Sequence, residues 1–188
     1  DVVYKLGQLI KIPTVSYEDK SLIDFTKFDE YIEKVKELYP NVFKYCEFTK
    51  TKEYAILLKL KGKSSLKPTV LMAHYDVVPV TEGWDHDPFL GQVVDGYLYG
   101  RGSLDTKNTM ACALSALEKA LEQGYVPNND LYLCFGSNEE VYGGYLPKTD
   151  LPFHLCSIQM IFITILFKKR KVLIDLPRKP GTDGQRPT

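Results

Sequence analysis

One histidine, two aspartates and a pair of adjacent glutamates carry the chemistry open to this sequence. His74 and Asp76 lie in VLMAHYDVVPV (residues 70–80), at the end of the apolar run Val70-Leu71-Met72-Ala73. Asp105 follows in YGRGSLDTK, just ahead of a helical stretch, and Glu139-Glu140 come one strand later. Imidazole and carboxylate groups drawn from the edges of several elements suit a metal-assisted hydrolase. Zinc takes nitrogen and oxygen ligands, and its catalytic sites leave a position open for water.

Each residue has a plainer use beside the chemical one. His74 can be a satisfied core histidine or a ligand, and Asp76 bears on the choice. Two residues on in an extended chain, Asp76 projects to the same side and can hold the second ring nitrogen, fixing the tautomer. Asp105 can be an N-cap, a place Asp fills well. It can also be a carboxylate that bridges two cations, one on each oxygen, with Gly100 and Gly102 letting backbone pack tightly beneath it. Glu139 and Glu140 can be a charged surface pair. In an extended segment their side chains diverge, so one can bind metal while the other faces substrate and moves a proton.

The surrounding elements must position these groups. Apolar residues at 2, 3, 6, 9 and 10 predict a first helix over 2–12 that Pro13 ends. Phe28, Tyr31, Ile32, Val35, Leu38 and Tyr39 predict a second, closed by Pro40. Residues 42–49 alternate loosely, 54–60 read as a strand, and 61–68 (KGKSSLKP) as a surface turn. The continuously apolar 69–73 suits a buried central strand, which puts His74 at its carboxyl end, where α/β sheets bind ligands. Residues 91–100 (GQVVDGYLYG) predict a hairpin turning at Asp95-Gly96. Met110, Leu114, Leu117 and Leu121 form one stripe of a helix over 106–123, terminated by Gly124. Residues 130–136 read as another buried strand. The layout is α/β, with every candidate ligand at a strand edge.

Composition narrows the class. The 188 residues make one domain with a sizeable core, and 44% hydrophobic and 26% charged residues are those of a soluble globular protein. With 24 basic and 24 acidic residues the chain lacks the basic surplus that nucleic acid or an acidic membrane requires. Cys46, Cys112, Cys134 and Cys156 are widely spaced and form no C-x-x-C pair, so neither a thiolate zinc site nor a disulfide framework is expected. GRGSLD lacks the glycine spacing of a dinucleotide fingerprint, and no Walker lysine motif is present. No signal peptide is seen in the sequence from Asp1 onward, and the expectation for compartment, otherwise open, leans to the cytoplasm. After Gly144 the character changes: residues 155–167 are apolar but too few to span a bilayer as a helix, a buried strand or an interfacial segment both staying open, and RKPGTDGQRPT (178–188) reads as disordered.

IPTVS (12–16), LMAHYDVVPV (71–80), WDHDPF (84–89), GYLYGRGSLDTK (96–107) and SNEEVYGG (137–144) occur in an order that resembles a known family. It is the di-zinc metallopeptidases and amidohydrolases that include carboxypeptidase S, aminoacylase, succinyl-diaminopimelate desuccinylase and glutamate carboxypeptidase, and the carboxypeptidase S branch looks closest. The resemblance implies an α/β, three-layer zinc-exopeptidase-like catalytic domain around a central mixed, largely parallel sheet. It implies that His74 binds one zinc, Asp105 bridges both, Glu140 binds the other, Glu139 is the general base and Asp76 is the catalytic carboxylate behind His74. Cobalt or manganese can substitute. The implied substrate is a small peptide or N-acyl amino acid, cleaved at an amide bond next to a free carboxylate.

The likeness covers residues 1–144, expected to be the N-terminal part of the catalytic domain, and 145–188 stay unassigned. Asn108 stands where the family commonly has Gly. The family's remaining ligands, an acidic residue farther on and a His near the carboxyl terminus, have no match: His154 is too close to Glu140, and Asp175 has the wrong neighbourhood. The dimerisation domain of the family is also missing, so a homodimer is expected only of a longer form. The chain looks like a truncated or frame-shifted part of a longer enzyme. The alternative is an inactive fragment or interaction module keeping part of the metal site.

Overall fold

A computed structural model describes residues 1–141. Its elements are α1 (Val2–Ile10), a 3-10 turn (Lys20–Leu22), α2 (Phe25–Leu38), α3 (Pro40–Tyr45), β1 (Glu47–Lys50), β2 (Ile56–Leu60), β3 (Ser64–His74), β4 (Val93–Val94), β5 (Tyr97–Leu98), α4 (Lys107–Glu122), β6 (Asn129–Gly136) and a 3-10 turn at Glu139–Val141. Cys156, His154, Asp175 and the apolar stretch 155–167 lie outside the described residues.

The main sheet has the order β1-β2-β6-β3. β1 and β2 are antiparallel, as are β2 and β6, while β3 runs parallel to β6 with His74 opposite Gly136. The sheet is therefore mixed, as expected. Among the described residues, however, one of its three pairings is parallel, fewer than "largely parallel" implies. The reason is connectivity: only the passage from β3 to β6 includes a helical crossover, α4, of the kind parallel neighbours need.

Ile56, Leu58 and Leu60 from β2 and Leu133 and Phe135 from β6 share one core with the helices. From the helices come Leu6, Leu9 and Ile10, then Phe28, Tyr31, Ile32 and Val35, then Val42, then Met110, Leu114, Leu117 and Leu121. The predicted stripe of α4 is buried in full. Within the described residues the sheet carries one such helical layer. Cys46, Cys112 and Cys134 are buried free thiols, and burial pushes Cys134 up to about 12.

Three local expectations are corrected. The loose alternation over residues 42–49 yields paired strand only at Glu47–Lys50, because Pro40 sits in the first turn of α3. Proline lacks an N–H and has a helical φ, so it opens a helix as readily as it stops one. Residues 61–68 hold the start of β3, with a register irregularity between Ser64 and Thr69 that leaves Leu66 88% exposed. Glu139 and Glu140 lie in a 3-10 turn, not an extended segment. The hairpin forms as expected: Asp95 and Gly96 both take positive φ, +49° and +83°, as the tight primed turn requires.

Candidate metal centre

β3 delivers His74 to the carboxyl edge of the sheet, 7% exposed. Its backbone N–H donates to the Thr106 hydroxyl (3.3 Å), and that hydroxyl donates to the His74 carbonyl (3.1 Å). This exchange fastens the start of α4 to the end of β3 and brings Asp105 beside the imidazole. Thr106, not Asp105, is the N-cap residue of α4, and its side chain makes no capping bond. Asp105 is thereby free of the capping role and three-quarters exposed.

The glycines on either side of Arg101 serve close packing, as the sequence implied. A Cβ on Gly100 would come within 2.4 Å of Ile10 Cγ2, and one on Gly102 within 3.0 Å of Val77 Cγ1 and Lys107 Cδ. Beneath Gly102, the fully buried Lys107 ammonium donates to the Leu9 (3.2 Å) and Ile12 (2.9 Å) carbonyls and lies over the Tyr31 ring. Burial pushes it down to about 7, against the attraction of Asp76.

His74 faces carboxylates on both nitrogens. Nδ1 lies 3.3 Å from Asp76 Oδ1 and 3.1 Å from the Asp76 carbonyl oxygen. Nε2 points the other way, 3.2 Å from Asp105 Oδ1 and 3.5 Å from Glu139 Oε2. Burial alone would lower the imidazole's affinity for a proton, but Asp76 and Glu139 outweigh it and raise His74 to about 9.

Asp76 is completely buried, as its place behind the ring demands. Burial works to raise its pKa, yet hydrogen bonds from His74, Ser16 and the Glu140 N–H hold it below the ordinary carboxylate value. Its Oδ1 accepts the Glu139 N–H (3.2 Å), and its Oδ2 accepts the Glu140 N–H (3.1 Å) and the Ser16 hydroxyl (2.8 Å). One carboxylate therefore anchors the imidazole and the turn that carries both glutamates.

Nitrogen and oxygen donors of His74, Glu139 and Glu140 all lie within 4.8 Å of one another, and Asp105 completes the rim. Burial, then the neighbouring Asp105, Asp76 and Glu139 carboxylates, raises the Glu140 pKa, while His74 opposes them. An imidazole among crowded carboxylates is a donor set that zinc takes, and a cation relieves their mutual repulsion. The residues present fit a metal ion. All five predicted residues are brought together, and the 3-10 turn places Glu139 and Glu140 on the same group, where divergence was expected.

Arg101 lies at the rim, its guanidinium 5.0 Å over the Trp84 ring and its Nη2 3.5 Å from the Pro79 carbonyl oxygen. Ser16, Thr106 and Lys107 were not singled out from the sequence. Ser16 is 60 residues from Asp76, a contact that no local periodicity encodes.

The model of peptidase family M20/M25/M40 matches residues 70–155. An uncharacterized carboxypeptidase of Schizosaccharomyces pombe is 39% identical over 158 residues, 78% of this chain and 26% of that protein. The N-fatty-acyl-amino acid synthase/hydrolase PM20D1 of Bos taurus is 39% identical over 138 residues, 71% of this chain and 27% of that protein. The chain thus spans about a quarter of the length of these relatives. In fold it is similar to human carnosine dipeptidase 1, with a TM-score of 0.61 at 18% identity, covering 77% of this chain and 33% of that one. The segment that carries the site, residues 70–155, is thus the part of the chain that matches peptidase family M20/M25/M40.

Proposed function

We propose that this chain is the N-terminal part, residues 1–144, of the catalytic domain of a zinc-dependent hydrolase. Its substrate class is an amide next to a free carboxylate, in a small peptide or an N-acyl amino acid. The observation that carries the reading is the arrangement around His74: Nδ1 held from behind by a buried carboxylate, Nε2 facing Asp105 and Glu139 at 3.2 and 3.5 Å. Its relatives include a protein named as a carboxypeptidase and one named as an N-fatty-acyl-amino acid synthase/hydrolase, which supports the amide class.

His74, Asp105 and Glu140 would hold zinc. When bound, zinc acidifies a water and stabilises negative charge on the attacked carbonyl oxygen. Asp76 fixes the His74 tautomer so that Nε2 presents its lone pair to the open side. Glu139, with a side chain 57% exposed, takes a proton from water and delivers it to the leaving nitrogen. The partly buried Glu140 stays on the ligand side.

The test is hydrolysis of an N-acyl amino acid, beside its carboxamide, by the full-length protein that contains this chain. The free acid is expected to be cleaved, the carboxamide poorly, and the activity to vanish with a chelator and return with zinc. Turnover indifferent to chelation would overturn the proposal.

A further inference from the structure

We infer that Ser16 is a positioning residue for the metal centre, setting the plane of the Asp76 carboxylate. The inference rests on the zinc reading above. IPTVS runs parallel to the chain just past β3: the Val77 N–H donates to the Thr14 carbonyl (3.0 Å) and the Ser16 N–H to the Val77 carbonyl (3.0 Å). That pairing carries the Ser16 hydroxyl to Asp76 Oδ2 at 2.8 Å, with both residues shut away from solvent at 1% and 0% exposure.

The carboxylate torsion of Asp is soft and has no sharp preference of its own. Its orientation is therefore decided by its partners. Three of the four, the His74 ring and the Glu139 and Glu140 N–H groups, belong to residues of the candidate metal centre itself. Ser16 alone lies outside the predicted site residues, and its backbone is held by the bridge to Val77. It gives Asp76 a fixed reference, so the imidazole and the glutamate turn are aimed before any ion arrives. Preorganised support of this kind is what sets metal affinity.

The experiment is a zinc titration of the full-length protein that contains this chain against a chromophoric chelator, with melting of the metal-free protein recorded in parallel. Wild type is compared with Ser16→Ala and with Thr14→Val. Thr14 sits in the same segment and donates its hydroxyl to the Tyr75 carbonyl, not to Asp76, so it reports what loosening that segment alone does. Ser16→Ala is expected to bind zinc about 10-fold more weakly, and Thr14→Val to stay within about 2-fold of wild type even where its melting falls. Equal affinity in Ser16→Ala and wild type would overturn the role of Ser16 and leave the metal centre intact. Equal losses in both variants would reduce Ser16 to a structural residue. A wild-type full-length protein that binds no zinc would overturn the metal reading itself, and the role of Ser16 with it.

Discussion

Two buried carboxylates in this molecule each receive the backbone N–H groups that open a short helix. Glu118, on α4, accepts from the N–H groups of Asn41 (3.0 Å) and Val42 (2.9 Å) at the start of α3, and from the Asn41 amide (2.9 Å). Asp76 accepts from Glu139 and Glu140 at the start of the last 3-10 turn. Both satisfy orphan donors at a helix start and place negative charge at the positive end of the helix. Around Glu118 every partner is scaffold. Around Asp76 the partners include an imidazole whose far nitrogen opens onto two exposed carboxylates. A buried acid thus marks a functional site only when what it holds faces outward.

Removing each acid should separate the two uses. Asp76→Ala leaves two N–H groups, a hydroxyl and an imidazole without their acceptor. It is expected to cost roughly 3 kcal/mol in urea unfolding and about 100-fold in zinc affinity. Glu118→Ala is expected to cost roughly 2 kcal/mol by the same unfolding measurement, from the unpaired N–H groups alone. Its zinc affinity should match wild type. Comparable zinc losses in the two variants would erase the distinction.

The imidazole offers a finer probe. His74 in the metal-free chain should remain protonated up to about 9 in an NMR titration, and Asp76→Asn should bring it down. The sign for metal follows: zinc needs the deprotonated ring, so its affinity should climb as pH rises toward about 9 and flatten above it. Affinity that falls over this range would contradict the raised value. Smallest in stability is Asp105→Ala, at a side chain three-quarters exposed. It should move unfolding by under about 0.5 kcal/mol while weakening zinc.

Much of the scaffold was legible because it is local. The Met110–Leu114–Leu117–Leu121 stripe repeats with the helical period, and Asp95-Gly96 suits a turn few other pairs can make. His74 and Asp76 share a side because an extended chain alternates, so the support behind the ring was legible too. The turn at Glu139 was not: Asp76 imposes it through backbone donors 63 and 64 residues away. Glu118, an ordinary charged residue on an amphipathic helix, gave no local sign of its 76- and 77-residue reach to α3. Lys107 would be placed on the surface by its charge. It is buried because two carbonyls and the Tyr31 ring receive it.

The division of labour between the two glutamates is the account's central claim, and both lie on the same donor group. Zinc titration of Glu139→Gln beside Glu140→Gln tests it most directly. Glu139→Gln should bind zinc within about 3-fold of wild type and Glu140→Gln at least about 10-fold more weakly. Loss of zinc from Glu139→Gln with retention in Glu140→Gln would make Glu139 the ligand and contradict the assignment.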